Sequence, residues 1–198
     1  ATVQFVDIAG LVKGAAQGEG LGNRFLSHIR EVDALVFVLR AFHDDDVPGS
    51  NDPLEQLETL EVELVYADLE SLEKQADKRR KAARADRTLA DEVAALEEAI
   101  AHLQAGTPLY RAGLDEERAA LLKPFFLLTA KPAMALVNVD EAQMEDLDEV
   151  LAPVRTAFAA TGAADELVLG LCIQLEAEAA LLDEESRVEM LDALGLGE

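Results

Sequence analysis

The chain has 198 residues, half of them hydrophobic, enough to bury one good core and an appended hairpin. Seventeen basic residues against forty acidic ones leave a formal net charge of −23, which disfavours unspecific attraction of the whole chain to phosphate backbones such as DNA, or to anionic membranes. No apolar run reaches the roughly 18 residues of a membrane span. The opening residues do not read as a basic-then-apolar leader, and the single cysteine, Cys172, rules out an internal disulfide. The expectation is a soluble protein of the reducing cytoplasm.

Four short β-prone runs stand out in chain order, at residues 3–6, 34–39, 133–137 and 167–171. Several are continuously apolar rather than alternating, as in strands covered on both faces. Helical patterns lie between them. One covers residues 21–30, with Phe25, Leu26 and Ile29 on one side. Another follows Glu145, with Leu147, Val150, Leu151, Val154 and Phe158 at helical spacing and Pro153 as an expected interruption or kink. Strands alternating with helices predict an α/β fold with a mainly parallel, doubly wound sheet. The first residues read as a strand already in progress and the last as the end of a helix, so the chain is expected to be a piece of a longer protein.

The middle of the chain has a different pattern. Asp52 reads as an N-cap, Pro53 as the first helical residue and Glu55 as a capping-box partner. Val62, Val65, Leu69, Leu72 and Ala76 form one apolar stripe, which Leu57, Leu60, Leu64 and Ala67 broaden. After a turn near Ala85-Asp86, a second helix carries Leu89, Val93, Leu96, Ile100 and Leu103, and Gly106-Thr107-Pro108 stops it. Two such helices predict an antiparallel, coiled-coil-like hairpin over residues 51–108, inserted into a domain made of 1–50 and 109–198. Charge is uneven here: Lys74, Lys78, Arg79, Arg80, Lys81, Arg84 and Arg87 face only Asp77 and Asp86 within 74–87. That segment carries +5 and the rest of the chain −28. The cations gather towards the expected hairpin tip, either as a solvated helical face or as a contact for an acidic partner.

Asp7-Ile8-Ala9-Gly10 directly follows a β-prone run. In P-loop nucleotidases an acidic residue at such a place holds the Mg²⁺ shell, and the glycine brings a backbone N–H to the γ-phosphate. A D-x-x-G alone is a weak signal. Here it opens a glycine-dense run, Leu11 through Leu26, that feeds a helix ending Ile29-Arg30-Glu31-Val32-Asp33-Ala34. This run closely resembles the switch II region of the YchF-type, Obg-related P-loop nucleotidases. Far along the chain, Asn138-Val139-Asp140-Glu141 occupies the place of the base-reading N-K-x-D motif of GTPases. The YchF group is similar in having glutamate last and no lysine second.

In N-K-x-D, the aspartate accepts hydrogen bonds from guanine's N1–H and 2-amino group, a donor pair that adenine lacks. Glu141 is one methylene longer, and Val139 cannot lay a lysine stem along the base. Guanine selectivity should weaken, and the resemblance implies ATP, with GTP as the alternative, together with Mg²⁺. It further implies that Asp7 binds the metal and that Asp7, Gly10 and Leu11 form the catalytic segment. Leu11 stands where Ras-like GTPases place a water-positioning glutamine, so water positioning comes from elsewhere. On the base side, the resemblance points to Asn138, Val139 and Glu141, and to Cys172 and Ile173 at the end of the last β-prone run. Cys172 fits the small residue usual there; Ile173 departs from the usual alanine. His43 is offset from the histidine that many YchF proteins carry in the following loop, and the aspartates at 44–46 read as solvated loop acids or turn caps.

No G-x-x-x-x-G-K-[ST] occurs in the sequence. The resemblance implies that this motif lies upstream of residue 1 and that a ubiquitin-like TGS domain lies beyond residue 198. The implied function is ATP hydrolysis by a switch protein of translation or stress physiology, with the ribosome or ribosomal RNA as partner. The chain by itself is expected to be catalytically crippled. The competing readings are a non-catalytic interaction module built around the hairpin, and a GTPase with relaxed base specificity.

Overall fold

A computed structural model of the chain describes residues 2–6, 32–44, 49–161 and 164–193. Three strands form one parallel sheet in the order β1 (Leu35–Arg40), β2 (Ala133–Asn138), β3 (Val168–Leu171). The helices are α1 (Pro53–Ala83), α2 (Ala90–Gln104), α3 (Glu116–Leu122), α4 (Leu147–Phe158), the single turn α5 (Ala164–Leu167), α6 (Ile173–Ala179) and α7 (Glu184–Ala193). None of them is long and apolar enough to cross a membrane, among the described residues.

The register pairs Phe37 with Ala135 and Leu39 with Val137, and Ala135 also pairs with Val168. These side chains therefore share one face of the sheet. That face is buried under Leu57, Leu64 and Ala67 of α1 and Leu151, Val154 and Phe158 of α4. Gly170 permits close packing there, because a Cβ at this position would meet the Leu147 side chain at 2.4 Å. On the opposite face Val36 and Val38 of β1 are exposed among the described residues, so the expected cover on both faces is seen on one. The run at residues 3–6 forms no strand, and Val3 and Phe5 are exposed. An apolar run becomes a strand only where a neighbour takes up its N–H and C=O groups, and the described residues supply none.

α1 starts as its sequence predicts. The Asp52 carboxylate accepts from the Leu54 and Glu55 N–H groups, with Pro53 in the first turn. Glu55 does not close a direct capping box. The Asp52 N–H donates to the Ser50 hydroxyl at 3.1 Å, and that hydroxyl donates to Glu55 Oε2 at 2.6 Å. The two stripes of α1 serve two different cores. Leu57, Leu64 and Ala67 join the sheet core, whereas Val65, Leu72 and Ala76 join a second core with Ala95, Leu96, Ala99, Ile100 and Leu103 of α2. Val62 belongs to neither and is exposed. It lies about 200° round the helix from Leu64, so both cannot face inward.

α1 and α2 run antiparallel. Glu73, midway along α1, meets Gln104 at the end of α2, whereas Arg79 and Arg80 near the end of α1 meet Glu92 and Glu97 in its earlier turns. The turn sits where the sequence puts it, with Arg84 capping α1 and Asp86 accepting from the Thr88 N–H. Gly106, at φ +77°, ends α2 in a Schellman arrangement: Gly106 N–H donates to Leu103 O and Thr107 N–H to His102 O. Leu109, Leu122, Phe125 and Leu127 close the second core from the side. Pro153 does not break α4, which continues to Phe158. The burial of Leu151, Val154 and Phe158 on either side of the proline offsets the lost backbone hydrogen bond.

Two buried carboxylates fasten α1 to the segment leading into β2. Asp68, fully buried, accepts from Leu128 N (2.9 Å), Thr129 N (2.7 Å) and Thr129 Oγ1 (2.8 Å). Glu61 accepts from the Tyr110 hydroxyl and from the Arg111 guanidinium, whose Nη1 donates onward to Ala157 O at 2.8 Å. The Tyr110 ring sits between Phe37 and Phe158, with ring centroids 6.3 and 5.7 Å away. Burial pushes the Glu61 carboxyl above its ordinary range, against the pull of Tyr110 and Arg111. Burial, then the charge of Glu61, pushes the Tyr110 hydroxyl up as well, so it remains a donor.

Replacing Asp68 with alanine orphans three buried donors and should cost about 3–5 kcal/mol in denaturant unfolding. Thr129→Val, which removes one donor, should cost about 1 kcal/mol. Comparable losses for the two variants would show that Asp68 does not organise the segment. Glu61 should give a pH signature of its own. A raised carboxyl pKa favours the protonated form in the fold, so its contribution is fullest below the ordinary value of 4.5 and falls as pH rises through the raised value. The stability gap between the native chain and Glu61→Gln should narrow from pH 4.5 towards neutrality; a widening gap would reverse the assignment.

Candidate functional site

The register aligns the carboxyl ends of the sheet, with Arg40 beside Asn138 and Asn138 beside Leu171. The ladder extends one step into the loops, where Ala41 N–H donates to Asn138 O (2.9 Å) and Val139 N–H to Leu171 O (3.1 Å). Three loops therefore leave the same edge in fixed relative positions. In open parallel sheets this edge is where ligands bind.

Asn138 links two of the loops through its side chain. Its Oδ1 accepts from the Ile173 N–H at 3.1 Å, tying the end of β2 to the first turn of α6. Val139 and Cys172 point inward, 2% and 4% exposed, and belong to the sheet core. Asp140, Glu141, Ile173 and Gln174 are exposed beside them. Of the base-side residues singled out from sequence, the structure thus brings Asn138 and Ile173 into direct contact. It leaves Glu141 facing solvent and sets Val139 and Cys172 beneath the edge as apolar support. A lysine at position 139 would have to leave that core.

Asp140 is engaged within its own loop. Its N–H donates to Gln143 Oε1 at 3.0 Å, and its Oδ1 accepts from the Gln143 N–H at 2.9 Å. Gln143 also donates from Nε2 to Ala41 O at 3.0 Å, joining this loop to the one after β1. The sequence reading missed Gln143, although an acid followed three residues later by glutamine is a capping-box spacing. It also missed Gln56. From the first turns of α1, Gln56 accepts from the Arg40 N–H at 2.9 Å and donates to Arg40 O at 2.7 Å, completing the outer edge of β1 with a side chain. Arg40 in turn donates to the carbonyls of Gly49 and Ser50 and lies over the Phe42 ring. His43 is exposed in the loop after β1.

Asp7, Gly10 and Leu11, the helix expected at 21–30, and Asp45 and Asp46 lie outside the described residues. Among the described residues, no group of three or more His, Cys, Asp or Glu side chains is placed to hold a metal ion.

Comparison with known proteins adds to this geometry. Residues 1–75 match the family described as 50S ribosome-binding GTPase. Along all of its length the chain is 41% identical to the protein named ribosome-binding ATPase YchF of Haemophilus influenzae, of which it covers 54%. The protein of the same name from Bacillus subtilis is 39% identical, over 98% of this chain and 54% of its own length. In three dimensions, 95% of the chain matches 52% of the chain in the structure of the Schizosaccharomyces pombe YchF GTPase, with a TM-score of 0.75 and 30% sequence identity. The chain therefore spans about half the length of the curated relatives it matches. Sequence and three-dimensional likeness agree over almost every residue, and the chain belongs to the YchF family.

Proposed function

We propose that this chain forms the base-reading edge and the switch segment of a cytoplasmic, ATP-hydrolysing YchF protein that works with the ribosome. The reading rests chiefly on Asn138, whose side chain locks the loop after β2 to the loop after β3 at the carboxyl edge of a parallel sheet. A base entering there meets two loops already held in register, so little ordering has to accompany binding.

Each residue then has a distinct task. Asn138 positions the Ile173 amide and the turn that follows it. Val139 and Cys172 form the apolar floor, and Ile173 presents an exposed side chain against which a flat ring packs. Glu141 offers only acceptors when ionised, so it takes a single amino N–H of adenine as readily as a guanine donor. Exposure of Glu141, and the absence of lysine beside it, suit weak base discrimination that favours ATP. Asp7 would hold Mg²⁺, Gly10 would bring its amide to the γ-phosphate, and Leu11 keeps the catalytic segment without a water-positioning amide side chain. When bound, the metal neutralises charge developing on the phosphate oxygens. Residues 51–108 form the inserted hairpin, and 1–50 with 109–198 the nucleotide domain of P-loop type. A GTP-hydrolysing version of the same reading has one finding in its favour: the matched family and the S. pombe relative are both described as GTPases.

The chain holds no G-x-x-x-x-G-K-[ST], so the amide nest and lysine that grip the β- and γ-phosphates are missing from these 198 residues. Calorimetry of the chain with Mg-ATP should show no strong binding. A low-micromolar dissociation constant, worth about 8 kcal/mol, would overturn that expectation.

In a full-length YchF protein bearing these residues, ATP should compete at least as well as GTP. Glu141→Asp should move preference towards guanine nucleotides, and Asn138→Ala should weaken binding of both by roughly tenfold, about one lost hydrogen bond to the framework. An unchanged ATP/GTP ratio in Glu141→Asp, measured by competition, would mean that Glu141 does not read the base.

A further inference from the structure

The hairpin end carries a charge arrangement that the nucleotide reading does not use. Seven cations lie within residues 74–87, and the structure divides them into two groups. Lys74 pairs with Glu70, Arg80 with Asp77 and Glu97, and Arg79 with Glu92 while lying over the Phe125 ring. These three are committed to the hairpin itself. Lys78, Lys81, Arg84 and Arg87 are all exposed and have no ion-pair partner among the described residues. Lys78, Lys81 and Arg84 recur every third residue, which sets them along one side of the last turns of α1, and Arg87 continues the group across the turn. Of the nearby acids, Asp86 is occupied in capping Thr88, and Asp91 stands in the first turn of α2.

Position makes these charges effective. Ala67 is the last α1 residue in the sheet core, and Arg84 lies 17 residues further along the helix, about 25 Å away. That distance is about three Debye lengths at physiological ionic strength, so the acidic body hardly weakens the local positive field. Surface chemistry narrows the partner. From Lys78 to Thr88 no apolar side chain is larger than alanine. A protein interface needs a buried aromatic or aliphatic anchor at its centre, and the tip offers none. A phosphodiester backbone needs only closely spaced cations and room to approach, and alanines at 82, 83 and 85 leave that room.

We propose that the tip of the α1–α2 hairpin is a contact for the phosphate backbone of RNA, made by Lys78, Lys81, Arg84 and Arg87. The proposal deepens the ribosome-directed part of the reading above and rests on it, but it is independent of the nucleotide site. Arg79 and Arg80 are engaged in cross-helix ion pairs with Glu92 and Glu97 and do not form the contact.

The test is a salt titration of the 198-residue chain binding a short fluorescein-labelled RNA hairpin, followed by anisotropy without nucleotide. The plot of log K against log salt should be linear, with a slope of roughly −0.7 to −0.9 for each phosphate neutralised. Replacing Lys78, Lys81, Arg84 and Arg87 together with alanine should flatten the slope by about 3 and weaken low-salt binding by roughly tenfold or more. The Arg79→Ala/Arg80→Ala pair should lower the melting temperature and keep the slope per folded molecule. No binding by the unaltered chain at low salt would overturn the proposal, as would a slope unchanged in the fourfold variant. Equal displacement of the RNA by polyglutamate would also overturn it, in favour of an acidic protein partner. Because ATP is absent, none of these results bears on the base-reading edge, whose own test is nucleotide competition.

Discussion

One helix shared between two cores sets the arrangement of everything else. α1 lays one stripe on the sheet and a second on α2, and two carboxylates seven residues apart pin it in between. Seven residues are two helical turns, so Glu61 and Asp68 project from the same side. Both reach into the segment from Leu109 to Thr129, the approach to β2. Buried carboxylates are tolerated only when their lone pairs are filled. Asp68 meets two backbone amides and a hydroxyl, and Glu61 a phenol and a guanidinium. Breaking either set would leave a buried charge uncompensated, which gives the helix one acceptable position along the sheet.

The candidate site inherits that position. Arg111 connects Glu61 to the end of α4 through Ala157 O, and Tyr110 packs against Phe37 of β1 and Phe158 of α4. The first turns of α1 carry Gln56, which finishes the edge of β1 beside the loop it leaves by. The end of β1 is thereby fixed relative to the ends of β2 and β3. Asn138 and Gln143 then tie the loops to one another with single side-chain contacts. Rigid strands deliver the loops, and a few polar side chains set their spacing, the division of labour expected of a recognition site on an α/β scaffold.

The hairpin shows a related separation of roles. Its inner half is held by apolar packing on both sides and by the clamp at Asp68, whereas its outer half leaves the body and is stabilised by cross-helix ion pairs such as Arg79–Glu92 and Arg80–Glu97. Exposed pairs of this kind contribute little energy each, so the outer half depends on the apolar seam of Leu72, Ala76, Ala95 and Leu96 between the helices. Cations left over from that pairing collect where the chain turns. In a molecule otherwise so acidic, residues 74–87 carry a net charge of +5.

The amino-acid sequence by itself determined what depends on neighbouring residues. The start of α1 at Asp52-Pro53, the turn before Thr88, the glycine stop at Gly106 and the centres of all three described strands follow from propensity, capping and short-range periodicity. The resemblance of the switch run and of Asn138–Glu141 to the YchF family was also legible, because it rests on consecutive residues. Tertiary structure decided what depends on partners distant in the chain. Residues 3–6 look like a strand but have no described neighbour to pair with, Val62 fits a stripe but faces solvent, and Pro153 sits inside a helix that its packing sustains. Val139 reads as a base-side position and is turned into the core by the register of β2. Glu61, Asp68, Gln56 and Gln143 look like ordinary surface polar residues until their partners, from 3 to 102 positions away, are brought alongside. A side chain's local pattern encodes which backbone it prefers, but the desolvation and pairing that give a buried polar group its role exist only after the chain has closed around it.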